Sequence, residues 1–162
     1  MSMRNRRDFL MVGLGSAVAL TVPPIRGGLV AQERPPALPD EQVFEFVRAA
    51  HVDVDRTQEM LREEPGLLNA TWDWGGGDFE TALGGASHMG SREIAGLLLD
   101  HGARIDLFCA ATMGMLEVVR SVVEVYPRAV EWKGPHGISL LRHAVLGEAE
   151  RVAEFLRSRG AA

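Results

Sequence analysis

The chain has 162 residues, 46% of them hydrophobic and 24% charged, with a formal net charge of −5. That length suits one modest domain plus a tail, and the charge argues against nucleic acid or an anionic membrane surface as the main partner. Cys109 is the only cysteine, which excludes an intrachain disulfide and any cysteine-based zinc site.

Residues 1–31 read as an address and not as part of the fold. Arg4, Arg6 and Arg7 precede an apolar run of 14 residues, Phe9 to Val22, closed by Pro23 and Pro24. The run suits a signal peptide and falls short of the roughly 20 residues of a membrane span. The string NRRDFL at 5–10 resembles the twin-arginine export signal. That resemblance implies bacterial export of the folded protein to the periplasm. Ala31 offers a cleavage point, but Leu29 is larger than the residue usual two places earlier. Cleavage and retention as an inner-membrane anchor therefore both stay open. Without residues 1–31 the chain keeps 13 basic and 21 acidic residues, a formal charge of −8. Residues 32–40, QERPPALPD, form a proline-rich linker.

From residue 41 onward the pattern is helical. Asp40 is expected to cap a helix carrying Val43, Phe44 and Val47. A second helix is predicted from Val54 to Glu63, ended by Pro65-Gly66. The stretch NATWDWGGGDFE, 69–80, holds three successive glycines and is expected to be a loop without regular structure. Residues 81–103 then read as a helical hairpin turning at Gly90, with Leu83, Ala86, Ile94 and Leu98 on its packed stripe and Gly102 ending it. Residues 105–127 repeat the plan, with Gly114 in the place of Gly90. Residues 139–161 repeat it again, with the glycine slipped by one to Gly147.

One such hairpin cannot bury its apolar face alone, so the copies imply a stack. Thr81, Leu83 and Ala86 stand at three positions of the T-P-L-H-x-A signature, with Ala82 and Gly84 replacing its proline and histidine. On these residues the chain resembles the ankyrin repeat family over about 41–162. Its TWDWGGGD and GPHG loops resemble those of small exported bacterial ankyrin proteins. The resemblance implies an all-α solenoid of about four helix–turn–helix units. Units start at 81, 105 and 139, so ARID at 103–106 must be a tight connection, while 66–79 and 128–138 are long.

No G-x-S-x-G, P-loop, G-x-G-x-x-G or H-E-x-x-H motif is present. Asp73, Asp78 and Glu80 crowd the glycines at 75–77 and would repel phosphate. Of the five histidines, His101 is expected to meet helix-end carbonyls, and His51 and His143 to pack or cap. His88 and His136 could join Asp73, Asp78 or Glu80 in a metal or acid/base site, but no short-range ligand spacing supports one. We therefore expect no metal, no cofactor and no catalytic residue. Cys109 is expected to be a buried, inert thiol.

The remaining expectation is partner binding, because repeat stacks bind along a concave face and its loops. The contact residues would be Trp72, Asp73, Trp74, Asp78, Phe79, Glu80, His88, Met89, Met113, Trp132, Lys133 and His136. All three tryptophans lie in the two long connections, and tryptophan is enriched at interface centres. Trp72 and Trp74 should share one face, and packing down on the first unit competes with partner contact. The leading reading is thus a non-enzymatic protein-binding module. The alternative is a small-ligand or metal site under the loops 69–80 and 130–138.

Overall fold

A computed structural model describes residues 35–162; the export-signal reading lies outside these residues. Among them are eight α-helices and a two-stranded sheet. The helices come in pairs: α1 (Asp40–Ala49) with α2 (Val54–Glu63), α3 (Ala82–His88) with α4 (Arg92–Asp100), α5 (Leu107–Thr112) with α6 (Leu116–Val125), and α7 (Leu140–Leu146) with α8 (Glu150–Ser158). None is long and apolar enough to cross a membrane.

Short polar side chains set the helix starts. Asp53, Thr81, Ser91, Asp106 and Ser139 each accept a hydrogen bond from the N–H three residues on, satisfying a donor the helix leaves free. Asp40 differs from expectation: it lies inside the first turn of α1, and Pro39 precedes it at the cap position. There its charge still faces the positive end of the helix.

The first helix of each pair packs on the next, α1 on α3, α3 on α5 and α5 on α7; of the second helices, α2 packs on α4 and α6 on α8. Small residues permit the close approach, and every residue of α3 is buried. Phe46, Val47, Leu67, Leu83, Ile94 and Leu98 fill one core, and Val119, Leu140, Val152 and Leu156 fill a second. Polar bonds stitch the first-helix ends together. Thr112 Oγ1 donates to the Ser87 carbonyl at 2.9 Å, and Arg92 Nη1 donates to the Thr112 and Gly147 carbonyls at 3.0 and 3.2 Å.

The stretch 69–80 is not the structureless loop its glycines suggested. β1 (Thr71–Asp73) and β2 (Phe79–Thr81) pair antiparallel, with Trp72 opposite Glu80. Gly75, Gly76 and Gly77 all take positive φ and form the tight end of this hairpin. A 3₁₀ turn, Pro65–Asn69, leads into it. The second long connection follows a similar plan, with 3₁₀ turns at Pro127–Glu131 and Pro135–Gly137 and a bridge between Lys133 and Ser139. The slipped glycine also has a cause. Glu148 takes the left-handed turn position (φ 54°), while a Cβ on Gly147 would lie 2.2 Å from the Thr112 carbonyl oxygen.

Two glycines with similar backbones should therefore behave differently. Gly90 has φ 74°, and a Cβ there would sit 2.3 Å from the Leu146 carbonyl oxygen; Gly102 has φ 89° and nothing near it. Gly90→Ala is expected to cost about 3 kcal/mol or more, combining left-handed strain with a backbone clash. Gly102→Ala should cost about 1 kcal/mol from strain alone. Denaturant unfolding of both variants checks the contrast.

Candidate metal centre

The hairpin delivers Glu80 to the interior. Strand residues alternate sides, so Phe79 faces out (61% exposed) and Glu80 faces in (1%). Directly across the ladder, Trp72 packs on Phe44 with centroids 5.2 Å apart. Trp74 lies on the same face, 5.6 Å from Phe44, so the two tryptophans do share one face.

Four rings surround the Glu80 carboxylate. Trp74 Nε1 donates to Oε2 at 2.8 Å. His51 Nε2 and His136 Nε2 stand 3.3 and 3.4 Å from the same oxygen. His88 Nδ1 is 2.9 Å from Oε1, but the direction is poor, and both atoms are buried without a hydrogen-bond partner. The rings follow one another around the acid: His51 to His88 4.9 Å, His88 to His136 5.1 Å, His136 to Trp74 5.7 Å, and Trp74 to His51 6.1 Å. One donor atom from each of His51, Glu80, His88 and His136 lies within 4.8 Å of all the others.

Each histidine is held by a different element. His51 follows α1, and its Nδ1–H donates to the Val47 carbonyl at 2.8 Å. Gly85 makes room for this ring, since a Cβ there would fall 2.8 Å from His51 Nδ1 and Cε1. His88 is the last residue of the buried helix α3. His136 sits in the Pro135–Gly137 turn with φ 57°, a left-handed backbone costly for a residue with a side chain. Asp78 holds it there, accepting from the His136 backbone N–H at 3.0 and 3.1 Å and from ring Nδ1 at 2.9 Å.

This geometry dictates the chemistry. In the neutral forms of His51 and His136, the ring proton is on Nδ1, committed to Val47 and Asp78. Both Nε2 lone pairs then point at a carboxylate oxygen, an arrangement that repels unless a proton or a metal cation lies between. Burial pushes the Glu80 carboxyl up, but the neighbouring His51 and His88 rings and the Trp74 N–H outweigh it and hold it well below the usual carboxylate range. Glu80 in turn raises the basicity of His51 against the effect of burial. An imidazole with one nitrogen fixed by a carbonyl or carboxylate and the other free is the form in which histidine ligates metals.

The centre gathers Trp74, Asp78, Glu80, His88 and His136 from the expected contact residues, and adds His51, which was expected only to pack or cap. Glu80 and His88 do not lie on an exposed ridge, as the partner-binding reading required; both are buried. Short-range spacing is no guide to this cluster, because its donors converge from four separate elements. The remaining residues stay outside the centre. Trp72 is half-buried against the first core, and Met113 also packs there. Asp73 accepts the Gly75 N–H at 2.8 Å. Met89 and Trp132 are exposed, Trp132 beside Tyr126. Lys133 lies on the rim of a shallow groove with Phe79 and Phe108.

The other histidines and the cysteine match their expected roles. His101 Nδ1 bonds the Leu97 carbonyl at 2.8 Å. His143 is fully buried beside Phe108, and burial lowers its pKa. Cys109 is fully buried, and burial pushes its thiol up to about 11. No family model matches the chain, and no curated protein matches it.

Cys109 should therefore resist modification in the folded state. An aromatic disulfide reagent at neutral pH is expected to release its chromophore only after denaturation, and rapid reaction of the native protein would contradict the assigned burial.

Proposed function

We propose that this protein binds one divalent transition-metal ion through His51, Glu80, His88 and His136. The single observation that carries the reading is the convergence of two independently anchored imidazole Nε2 atoms on one buried carboxylate oxygen, at 3.3 and 3.4 Å. Donors around a tetrahedral ion with bonds of about 2.1 Å stand about 3.4 Å apart. Three nitrogens and one carboxylate oxygen suit zinc, iron, cobalt, nickel or copper, not calcium or magnesium. Asp78 and the Val47 carbonyl supply the outer shell that orients two of the ligands.

The paired helices, with each first helix packed on the next, α2 on α4 and α6 on α8, support reading the scaffold as an ankyrin-type solenoid of about four units. The twin-arginine resemblance supports export of a folded protein to the periplasm, a route that suits a protein loaded with its metal beforehand. A second reading, non-enzymatic binding of a partner protein, draws on the exposed Phe79, Met89 and Trp132. It uses residues outside the centre, so the two readings separate experimentally.

Titration of the full chain with cobalt(II) tests the main reading. Saturable binding of one equivalent is expected, with visible bands of a low-symmetry site and a higher Tm, because one ion ties four elements together. Asp78→Asn should weaken binding about 10–100-fold by removing the carboxylate behind His136. Gly85→Ala should weaken it by displacing the His51 ring, although alanine favours the helix itself. Absence of saturable binding to the unmodified protein would refute the proposal.

A further inference from the structure

The connections between the helix pairs are unequal. Residues 64–81, ahead of α3, project as a hairpin, and residues 126–139, ahead of α7, project as a bridged turn. Residues 101–106, ahead of α5, hold no strand and no projection. Arg104 pins this short connection to the foot of the hairpin, donating its backbone N–H to Asn69 Oδ1 at 2.9 Å. A groove of about 370 Å³ is left between the two projections. Its lining comes from Phe79 and Thr81 of the hairpin, Lys133 and Gly134 of the turn, and Asp106 and Phe108 at the start of α5.

Both projections turn unused backbone groups to their outer edges. In an antiparallel ladder, bonded and non-bonded pairs alternate. Trp74 N–H donates to the Asp78 carbonyl at 3.0 Å, so Asp73 and Phe79 form a non-bonded pair. The N–H and C=O of Phe79 therefore point away from β1. In the second projection, Gly134 N–H donates to the Ile138 carbonyl at 2.9 Å, and Leu140 N–H to the Trp132 carbonyl at 3.4 Å. The N–H and C=O of Lys133 then point away from Ser139 by the same alternation. None of these four groups has a hydrogen-bond partner among the described residues. An unpaired strand edge is a template for another strand.

The charges in the groove differ in how far they are engaged. Asp78 accepts from the backbone and ring of His136, and Asp106 accepts the Cys109 N–H at 2.7 Å. Lys133, the only lysine of the chain, takes part in no ion pair among the described residues.

We propose that this groove binds an extended peptide segment of a partner protein, added as a strand to the free edge of β2. The segment pairs its backbone with the N–H and C=O of Phe79. Its side chains alternate: apolar ones turn down onto Phe108, and acidic ones between them meet Lys133. The proposal goes beyond the metal-centre reading and needs no metal.

The test is a titration of the isotope-labelled full chain with a short peptide alternating valine and glutamate, followed by NMR at the backbone amides. Saturable shifts are expected at the Phe79 and Lys133 amides, with slower hydrogen exchange at Phe79. The same peptide, methylated on its edge-facing amide nitrogens, keeps its side chains and cannot pair; it is expected to bind about tenfold more weakly. Lys133→Gln alters an exposed side chain and leaves the fold intact. It should weaken binding about threefold at low salt, a difference that high salt removes. No saturable shift at Phe79, or equal binding of the methylated peptide, would overturn strand addition. Equal binding of a peptide alternating valine and lysine would overturn the acidic partner.

Discussion

A carboxylate buried to 1% exposure must be compensated, and the fold around Glu80 follows from that requirement. An uncompensated buried charge costs about 3–5 kcal/mol, a large part of the stability of a domain this size. Compensation comes from far along the chain. His51 lies between α1 and α2, Trp74 in the hairpin turn, His88 at the end of α3 and His136 in the second long connection. Each partner fixes the segment it belongs to, so one acid ties the first helix pair, the hairpin and the GPHG turn to the buried helix α3. The left-handed backbone at His136 and the glycine at position 85 are local costs accepted for that convergence.

The scaffold was largely legible. Apolar spacing of three and four and the turn glycines Gly90, Gly102 and Gly114 are local signals, and they marked the last three helix pairs. The hairpin was not legible, because its strands are three residues each. That is too short for alternation to show, and the glycines that join them read equally well as a loop. The reason for Gly147 was hidden too. It answers a carbonyl of α5, which no local pattern reveals.

The centre was half legible. His88, His136, Asp78 and Glu80 stood out as chemistry-bearing residues near the loops, but local spacing gave no grounds for joining them. His51 was out of reach, since it belongs to another helix pair and its Nδ1 contact with Val47 is indistinguishable in sequence from ordinary capping. The nearest available signal was Gly85, a poor helix former in the middle of a buried helix. Its cause, the His51 ring lying against it, exists only in three dimensions.

The account depends on whether imidazoles ligate an ion at Glu80. X-ray absorption at the metal edge of the zinc-loaded protein addresses this most directly. The account predicts three nitrogen scatterers and one oxygen scatterer at about 2.0–2.2 Å, with the outer-shell pattern of imidazole rings. A spectrum of oxygen scatterers alone, without imidazole features, would contradict it.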